Sequence, residues 1–410
     1  LLRHINDLGG RHVVIVHGPR RRMLLTDAGG LRQVFFAFTV DGPWCASQPL
    51  LLQAVLGLPP DHEASDYAAS DDFLGMRGGH IWPGYGCSVA GVTHLLPNHL
   101  LDLDTGRDER FWPQEPLPAR SYDEVRDELA ATLRGLWLAA HQRSPLTLLL
   151  TAGHDSRLLL AAARPITSEL RFVRILRRGG EADDVHLPSR LLAGLGLPHI
   201  VADGMRGPTN DFWSAYRATA PFPDRFHAAN AEAISSAVRS RWGVTGHVSG
   251  VAKAHYRSRL GRLEPALTPA RVSLKIGTGR HRYAVAAQRE WLERVPVTSD
   301  VHPLDLLNWE QRVGNWASMW ALQYDLVWKD VLMPFNCRTL LASLLGLPED
   351  CRRPGNMELW EDLMARWWPE LLRVPFGGNP PRPGLVQASI ARSLALVRGG
   401  LNSSPGRMAN

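Results

Sequence analysis

The stretch "TLLLTAGHDSRLLLAAAR" spans Thr147–Arg164 and decides how the chain is read. Leu146–Leu150 is a short apolar run of strand length, and Ser156–Ala163 carries a Leu/Ala-rich helical pattern. In an open parallel sheet, ligands bind beyond the carboxyl ends of the strands, which is where Thr151–Ser156 would lie. Ala152 and Gly153 are small enough for backbone N–H groups to turn toward an anion. The helix beginning near Ser156 adds the positive end of its dipole. The Ser156 hydroxyl can donate to a phosphate oxygen. Asp155 would repel a bare phosphate but suits Mg²⁺, which bridges carboxylate and phosphate oxygens. The spacing therefore suits the phosphate tail of a nucleotide. It is not a Walker A loop, because Gly-Lys-Ser/Thr is missing. A plain helix cap by Asp155 or Ser156 stays open. A serine hydrolase is disfavoured: His154, Asp155 and Ser156 are sequence neighbours that do not converge as a triad, and no G-x-S-x-G elbow is present.

Working outward, Tyr122–His141 has a long amphipathic helical pattern. Arg171–Leu176 and His199–Ala202 read as strands with a helix at Asp184–Gly194 between them, and "WGVTG" (Trp242–Gly246) reads as a further strand. This alternation predicts a parallel sheet covered by helices on both faces. The region after Gly261 reads as mostly helical and Trp-rich. Trp309, Trp316 and Trp320, seven and four apart, are expected on one helix face against a core, with a substrate-lining aromatic box as the other reading. Upstream, "HVVIV", "MLLTD" and "QVFFAF" are short strands separated by turns, Pro49–Leu56 is a helix, and Val89–Leu103 is again β. Three prolines in "WPQEPLPAR" (Trp112–Arg120) mark a linker.

With 410 residues, 45% of them hydrophobic, the chain can bury two cores. The net charge of +6 is spread thinly. Arg20–Arg22 form the one tight basic run near the start and read as a solvated turn, so no nucleic-acid partner is expected. No apolar run reaches the length of a membrane span. The four cysteines have neither metal-ligand spacing nor the density of a disulfide framework, which suits a cytoplasmic protein. The chain opens on Leu1 with no signal-peptide pattern, and an incomplete start is expected.

"TAGHDSR" resembles the PP-loop, Ser-Gly-Gly-x-Asp-Ser, of the asparagine synthetase-like ATP pyrophosphatases. Thr151 and Ala152 replace the family's Ser and Gly, while Gly153, Asp155 and Ser156 match. "ADDVHLPSRLLAGLGLPHIV" (Ala182–Val201) looks like the family's second αβ unit. Gln311–Pro348 resembles its later helical region, with Pro-Phe-x-x-Arg at Pro334–Arg338. "PRRRMLLTDAGGLRQVFFA" and "SVAGVTHLLPNHLLDLDTGRDERFW" look like the tail half of its glutaminase domain. The resemblance implies an α/β fold with a parallel sheet of the adenine nucleotide α-hydrolase (HUP/PP-loop) type and a helical C-terminal part. A smaller, degenerate and incomplete Ntn glutaminase-like α+β domain would precede it. The implied boundaries are 1–112, a linker at 113–121, and a synthetase domain at 122–410.

The resemblance further implies ATP and Mg²⁺ as cofactors and an AMP-forming amide synthesis. A small-molecule or peptide carboxylate would attack the α-phosphorus of ATP, pyrophosphate would leave, and an amine would take the acyl group. Ser156 and the backbone of Thr151, Ala152, Gly153 and His154 would hold pyrophosphate oxygens. Leu149, Ile175 and Leu176 would flank adenine, Gly246 would line the nucleotide site, and Asp155 would hold the metal, with Asp183 or Asp184 compensating for a missing acid; Asp184 reads otherwise as a helix N-cap. Lys253 sits where relatives are often basic and would neutralise developing negative charge; Asp155, Ser156 and Lys253 are the expected catalytic residues. Arg157 is either a phosphate or carboxylate contact or a surface helix arginine. His247 is either a phosphate contact or a loop histidine. His94 and His99 read as loop residues.

Two departures qualify the resemblance. The glutaminase nucleophile has no counterpart, and Cys45 in "WCASQPLL" reads as a small core residue, so the chain is closer to β-lactam synthetases and lasso-peptide cyclases. After "VTG", Gly250 falls where the family has a metal-binding acid. A natural-product amide synthetase, a lasso-type macrocyclase and a catalytically dead nucleotide-binding scaffold all remain open, as does a homodimer or a pathway protein partner.

Overall fold

The computed structural model describes residues 2–19, 21–76, 79–176, 182–219, 225–238, 241–257, 266–296, 300–327 and 330–377. The first hundred or so residues form antiparallel strands: β1 (Val13–His17), β2 (Arg22–Thr26), β3 (Phe35–Thr39), β4 (Gly42–Ala46), β5 (Thr93–His94), β6 (His99–Asp102) and β7 (Asp108–Arg110). They make a four-stranded sheet ordered β1-β2-β6-β7 and a three-stranded sheet ordered β4-β3-β5. β2, apolar along Met23–Leu25, lies inside its sheet, whereas β4 is an edge strand. Cys45 on β4 is therefore exposed and not part of a core, correcting the expectation. His94 and His99 are also not loop residues: they sit on β5 and β6 and are 2% and 1% exposed.

The remaining strands, β8 (Leu146–Leu149), β9 (Arg171–Leu176), β10 (His199–Asp203), β11 (Trp242–Val244) and β12 (Asp330–Leu332), are all parallel to their neighbours and ordered β10-β9-β8-β11-β12. The α/β class with a parallel sheet and a helical C-terminal part is as expected. β12 is not: three residues inside a helix-rich region leave no periodic signal. All four residues of β8 are buried, as a central strand covered on both faces requires.

The helices packed around this sheet include α1 (Tyr122–His141), α2 (His154–Ala162), α3 (Ala182–Gly194), α4 (Arg225–Val238) and α5 (Glu358–Trp367). Ser121 and Glu124 close a capping box on α1, which buries Val125, Leu129, Leu133 and Trp137 along one stripe. α5 packs on α2. No helix among the described residues is long and apolar enough to cross a membrane.

The antiparallel and parallel parts are bolted together by buried polar groups. Asp27, just after β2, accepts the N–H groups of Gly29, Leu31 and Arg32 and an N–H of Asn336 at 2.9 Å. Asn336 in turn accepts the Gly29 N–H at 2.7 Å and donates to the Gly10 carbonyl. Glu310, fully buried, takes both terminal nitrogens of Arg110, the Trp291 indole N–H and the Asn98 amide. Burial pushes the Glu310 carboxyl up, but Arg110 and these hydrogen bonds more than offset it and hold it below the ordinary carboxylate range.

Asn308–Ala317 is a π-helix, continued by an α-helix at Ser318–Tyr324. Its i→i+5 bonding turns the chain less per residue than an α-helix, so a separation of seven no longer returns to one face. Trp309 donates to the Ala28 carbonyl and packs on Trp112, on the antiparallel side. Trp316 and Trp320 instead meet His247 and His227. The single aromatic face expected from sequence is split in two.

Candidate functional site

From β8 the chain runs to β9 and β10 on one side and returns to β11 and β12 on the other. The switch point, where neighbouring loops diverge and leave a crevice, falls between β8 and β11. The loop after β8 is Leu150–Gly153, leading into α2; the loop after β11 is Thr245–Val248, leading into a 3₁₀ turn at Ser249–Lys253. The second loop touches the first turn of α2. A Cβ on Gly246 would lie 2.7 Å from the Asp155 Cβ, so only glycine lets them approach this closely.

The residue starting α2 is not capped as the plain alternative required. The N-cap is Gly153, with no side-chain cap bond, and Asp155 and Ser156 lie inside the first turn. Ser156 is buried; its hydroxyl accepts the Thr151 N–H at 3.1 Å, donates toward the Thr151 carbonyl and lies 3.0 Å from the Thr151 hydroxyl. The Thr151 hydroxyl accepts the Gly153 N–H at 3.3 Å. Thr at position 151 thus knits the loop internally.

The Asp155 carboxylate faces Lys253, whose ammonium donates to both oxygens at 2.6 Å and 2.7 Å. Lys253 also lies 5.3 Å above the Trp360 ring on α5. Its turn is bracketed by Val248 (φ 79°) and Ala254 (φ 44°), two of the three non-glycine residues with positive φ among those described. Left-handed backbone is costly for a β-branched residue such as Val248, and strain of this kind is held by surrounding structure, often at functional sites. His247 is half-buried and bonds the Thr245 hydroxyl at 2.9 Å. Burial pushes its imidazole down to about 4 despite the Asp155 charge, so it is neutral near pH 7.

The other expected residues are arranged as follows. Leu149 and Ala152 are buried beside the loop, and Ile175 and Leu176 end β9 half-buried, beyond the Leu149–Val173 pairing. His154 bonds the Glu361 carboxylate at 3.0 Å and stacks on Phe376 at 3.6 Å. Asp184 belongs to α3, and its side chain lies outside the described residues. At Gly250 a Cβ would meet nothing within 4 Å, so the missing acid leaves open space.

These residues do not fit a divalent ion at Asp155. Both of its oxygens are held by an ammonium, and among the described residues no three His, Cys, Asp or Glu groups cluster as ligands. An anion fits better. Lys253 supplies one cation. Arg174 on β9, paired with Val201 of β10, has its Nε and one terminal nitrogen buried and unbonded. No sequence signal separated Arg174 from other strand arginines.

Arg157 is neither of the things expected of it. It is fully buried and donates to the carbonyls of Leu371, Val374 and Pro375, with the Phe376 ring 4.2 Å from its guanidinium carbon. The Gly377 N–H donates to the Ala152 carbonyl at 3.1 Å. Burial without a carboxylate partner pushes the guanidinium down to about 10. Arg157 therefore ties Leu371–Gly377 against the back of the loop.

No protein-family model matches the chain, and no curated protein does. Solved structures with some likeness include an NH3-dependent NAD synthetase from Campylobacter jejuni subsp. jejuni NCTC 11168, at 13% identity over 43% of this chain and 75% of that one, with a TM-score of 0.23. An NMN synthetase from Francisella tularensis is 12% identical over 64% and 99% of the two chains, with a TM-score of 0.25. A glutamine-dependent NAD+ synthetase from Acinetobacter baumannii is 12% identical over 71% and 80%, with a TM-score of 0.24. Likeness this slight carries no conclusion about what the present chain does.

Proposed function

We propose that the protein is an ATP-dependent carbon–nitrogen ligase that activates a carboxylate by adenylation. The observation that carries this reading is the meeting of the loop Thr151–Ser156 with Lys253 at the switch point of a parallel sheet. Adenine would lie against Leu149, Ile175 and Leu176. The pyrophosphate would lie over the first turn of α2, where N–H groups and the helix dipole favour an anion. A substrate carboxylate oxygen would bond to the α-phosphorus as the bond to the β-phosphate oxygen breaks, and pyrophosphate would leave. An amine would then bond to the acyl carbon, lose a proton and release AMP. Lys253 would neutralise charge on the departing group, and positioning would supply most of the remaining rate. No step is assigned to Mg²⁺. The substrates we favour are a small-molecule or peptide carboxylate and amine of a natural-product pathway; a lasso-type macrocyclisation uses the same chemistry.

A second reading, a nucleotide-binding protein without turnover, is favoured by one observation: the Asp155 carboxylate is already taken by Lys253 and the Ser156 hydroxyl by Thr151. Calorimetry with ATP and a pyrophosphate-release assay across a panel of carboxylates separate the two. Carboxylate-dependent pyrophosphate release that is lost in Asp155→Ala supports the ligase. Binding without release supports the second reading, and absence of binding removes both.

A further inference from the structure

The π-helix and the α-helix that continues it open to solvent along one stripe. Over residues 308–321 every residue is buried except Arg312, Trp316 and Trp320, which are half-buried and four apart. The stripe adjoins the switch point. Trp316 meets His247 at 5.8 Å, and His247 follows Gly246, the residue packed on Asp155. The Asn308 amide donates to the Gly250 carbonyl at 2.6 Å, fixing the π-helix to the turn that carries Lys253. Trp320 lies edge to face with Trp316 at 6.2 Å and with His227 at 4.4 Å.

Arg312 brings to this stripe a charge that the ligase steps do not use. Its guanidinium carbon lies 4.8 Å from the centre of the Trp316 ring. Among the described residues no carboxylate pairs with it. The groups that feel its charge are His247 and Tyr256, both uncharged near pH 7, because burial lowers the imidazole and raises the phenol. Asp155, which also acts on His247, is already neutralised by Lys253. A guanidinium held against an indole, with no counter-charge, keeps its fork of N–H donors for a planar anion.

We propose that Arg312, Trp316 and Trp320 form a carboxylate subsite, in which Arg312 holds the carboxylate in its fork and the two indoles line the apolar body of the molecule. That this molecule is the ligase's substrate rests on the ligase reading; the binding does not. The substrate class is then a carboxylate carrying an aromatic or branched apolar group, rather than a short polar acid.

The test uses the full chain with 3-phenylpropionate as probe, and 3-phenylpropanamide and acetate as controls. Calorimetry and the ¹⁵N signal of Arg312 Nε, assigned by its loss in Arg312→Gln, are followed together. The expected result is probe binding that shifts the Arg312 signal and is at least about tenfold tighter than binding of either control. In Arg312→Gln that affinity should fall about thirtyfold, with the urea midpoint near wild type, and Arg312→Lys should restore part of it, because the charge returns without the fork. In the pyrophosphate-release assay, KM for the carboxylate should rise about thirtyfold in Arg312→Gln while KM for ATP stays within about twofold. Probe binding that depends on Arg312, without pyrophosphate release from any carboxylate, supports the subsite and removes the ligase reading. No probe binding, equal binding of the amide, an unmoved Arg312 signal or unchanged affinity in Arg312→Gln overturns the subsite, whatever the release assay shows.

Discussion

Lys253 donates to both carboxylate oxygens of Asp155, at 2.6 Å and 2.7 Å, joining the turn after β11 to the first turn of α2. The pair is part-exposed, so it is worth little as a stabilising salt bridge. Its consequence is chemical: a monovalent cation stands where a carboxylate on a phosphate loop would otherwise meet a metal.

Replacing Lys253 with Met should therefore release the Asp155 oxygens. We expect Mn²⁺ affinity, read by electron paramagnetic resonance, to rise at least tenfold in Lys253→Met and to stay at the wild-type level in the double variant with Asp155→Asn. ATP affinity should fall in the single variant, since charged hydrogen bonds to phosphate are worth about 1.5–3 kcal/mol. Unchanged Mn²⁺ binding would show that the ammonium does not mask the carboxylate.

Two glycines beside this pair should respond in opposite ways. In Gly246→Ala the added methyl collides with the Asp155 Cβ and backbone, so the loop and the helix must part, at about 1–3 kcal/mol, with weakened nucleotide binding. In Gly250→Asp the side chain enters open space, and the midpoint of urea denaturation should stay near wild type. Equal destabilisation by both would refute the close approach seen at Gly246.

Arg157 holds Leu371–Gly377 by hydrogen bonds to three carbonyls. Arg157→Met should cost about 2–4 kcal/mol, because those buried acceptors lose a charged donor. Amide exchange at Gly377 should quicken with it. Arg157→Lys should rescue little, since one ammonium cannot replace a planar fork. Normal protection of Gly377 in Arg157→Met would mean that the segment is held otherwise.

Burial pushes His94 and His247 from an ordinary value near 6.5 down to about 4 in the fold. Between those values the unfolded chain takes up protons that the folded chain refuses. Stability from these groups is therefore full above pH 6.5 and declines as the pH falls toward 4, by about 2 kcal/mol for each at pH 5. Urea denaturation at pH 7.5 and 5.0 should show the decline, and His247→Gln should flatten part of it. An unchanged slope in that variant would exclude His247 as a contributor.

What the sequence determined was local. The apolar run at Leu146–Leu149 followed by small residues and a Leu/Ala helix marked the strand, loop and helix, because hydrogen bonds within a helix and burial along a strand impose short periods. Tyr122–His141 and Arg171–Leu176 were legible for the same reason. The tertiary structure decided everything that depended on distant pairing. Lys253 finds Asp155 across 98 residues, Arg157 finds Leu371, and β12 exists because β11 is there to pair with it. His94 and His99, polar and near a proline, looked like loop residues until the sheets closed over them. Charge pairing and burial are set by which surfaces meet in space, and no short-range pattern along a chain encodes that.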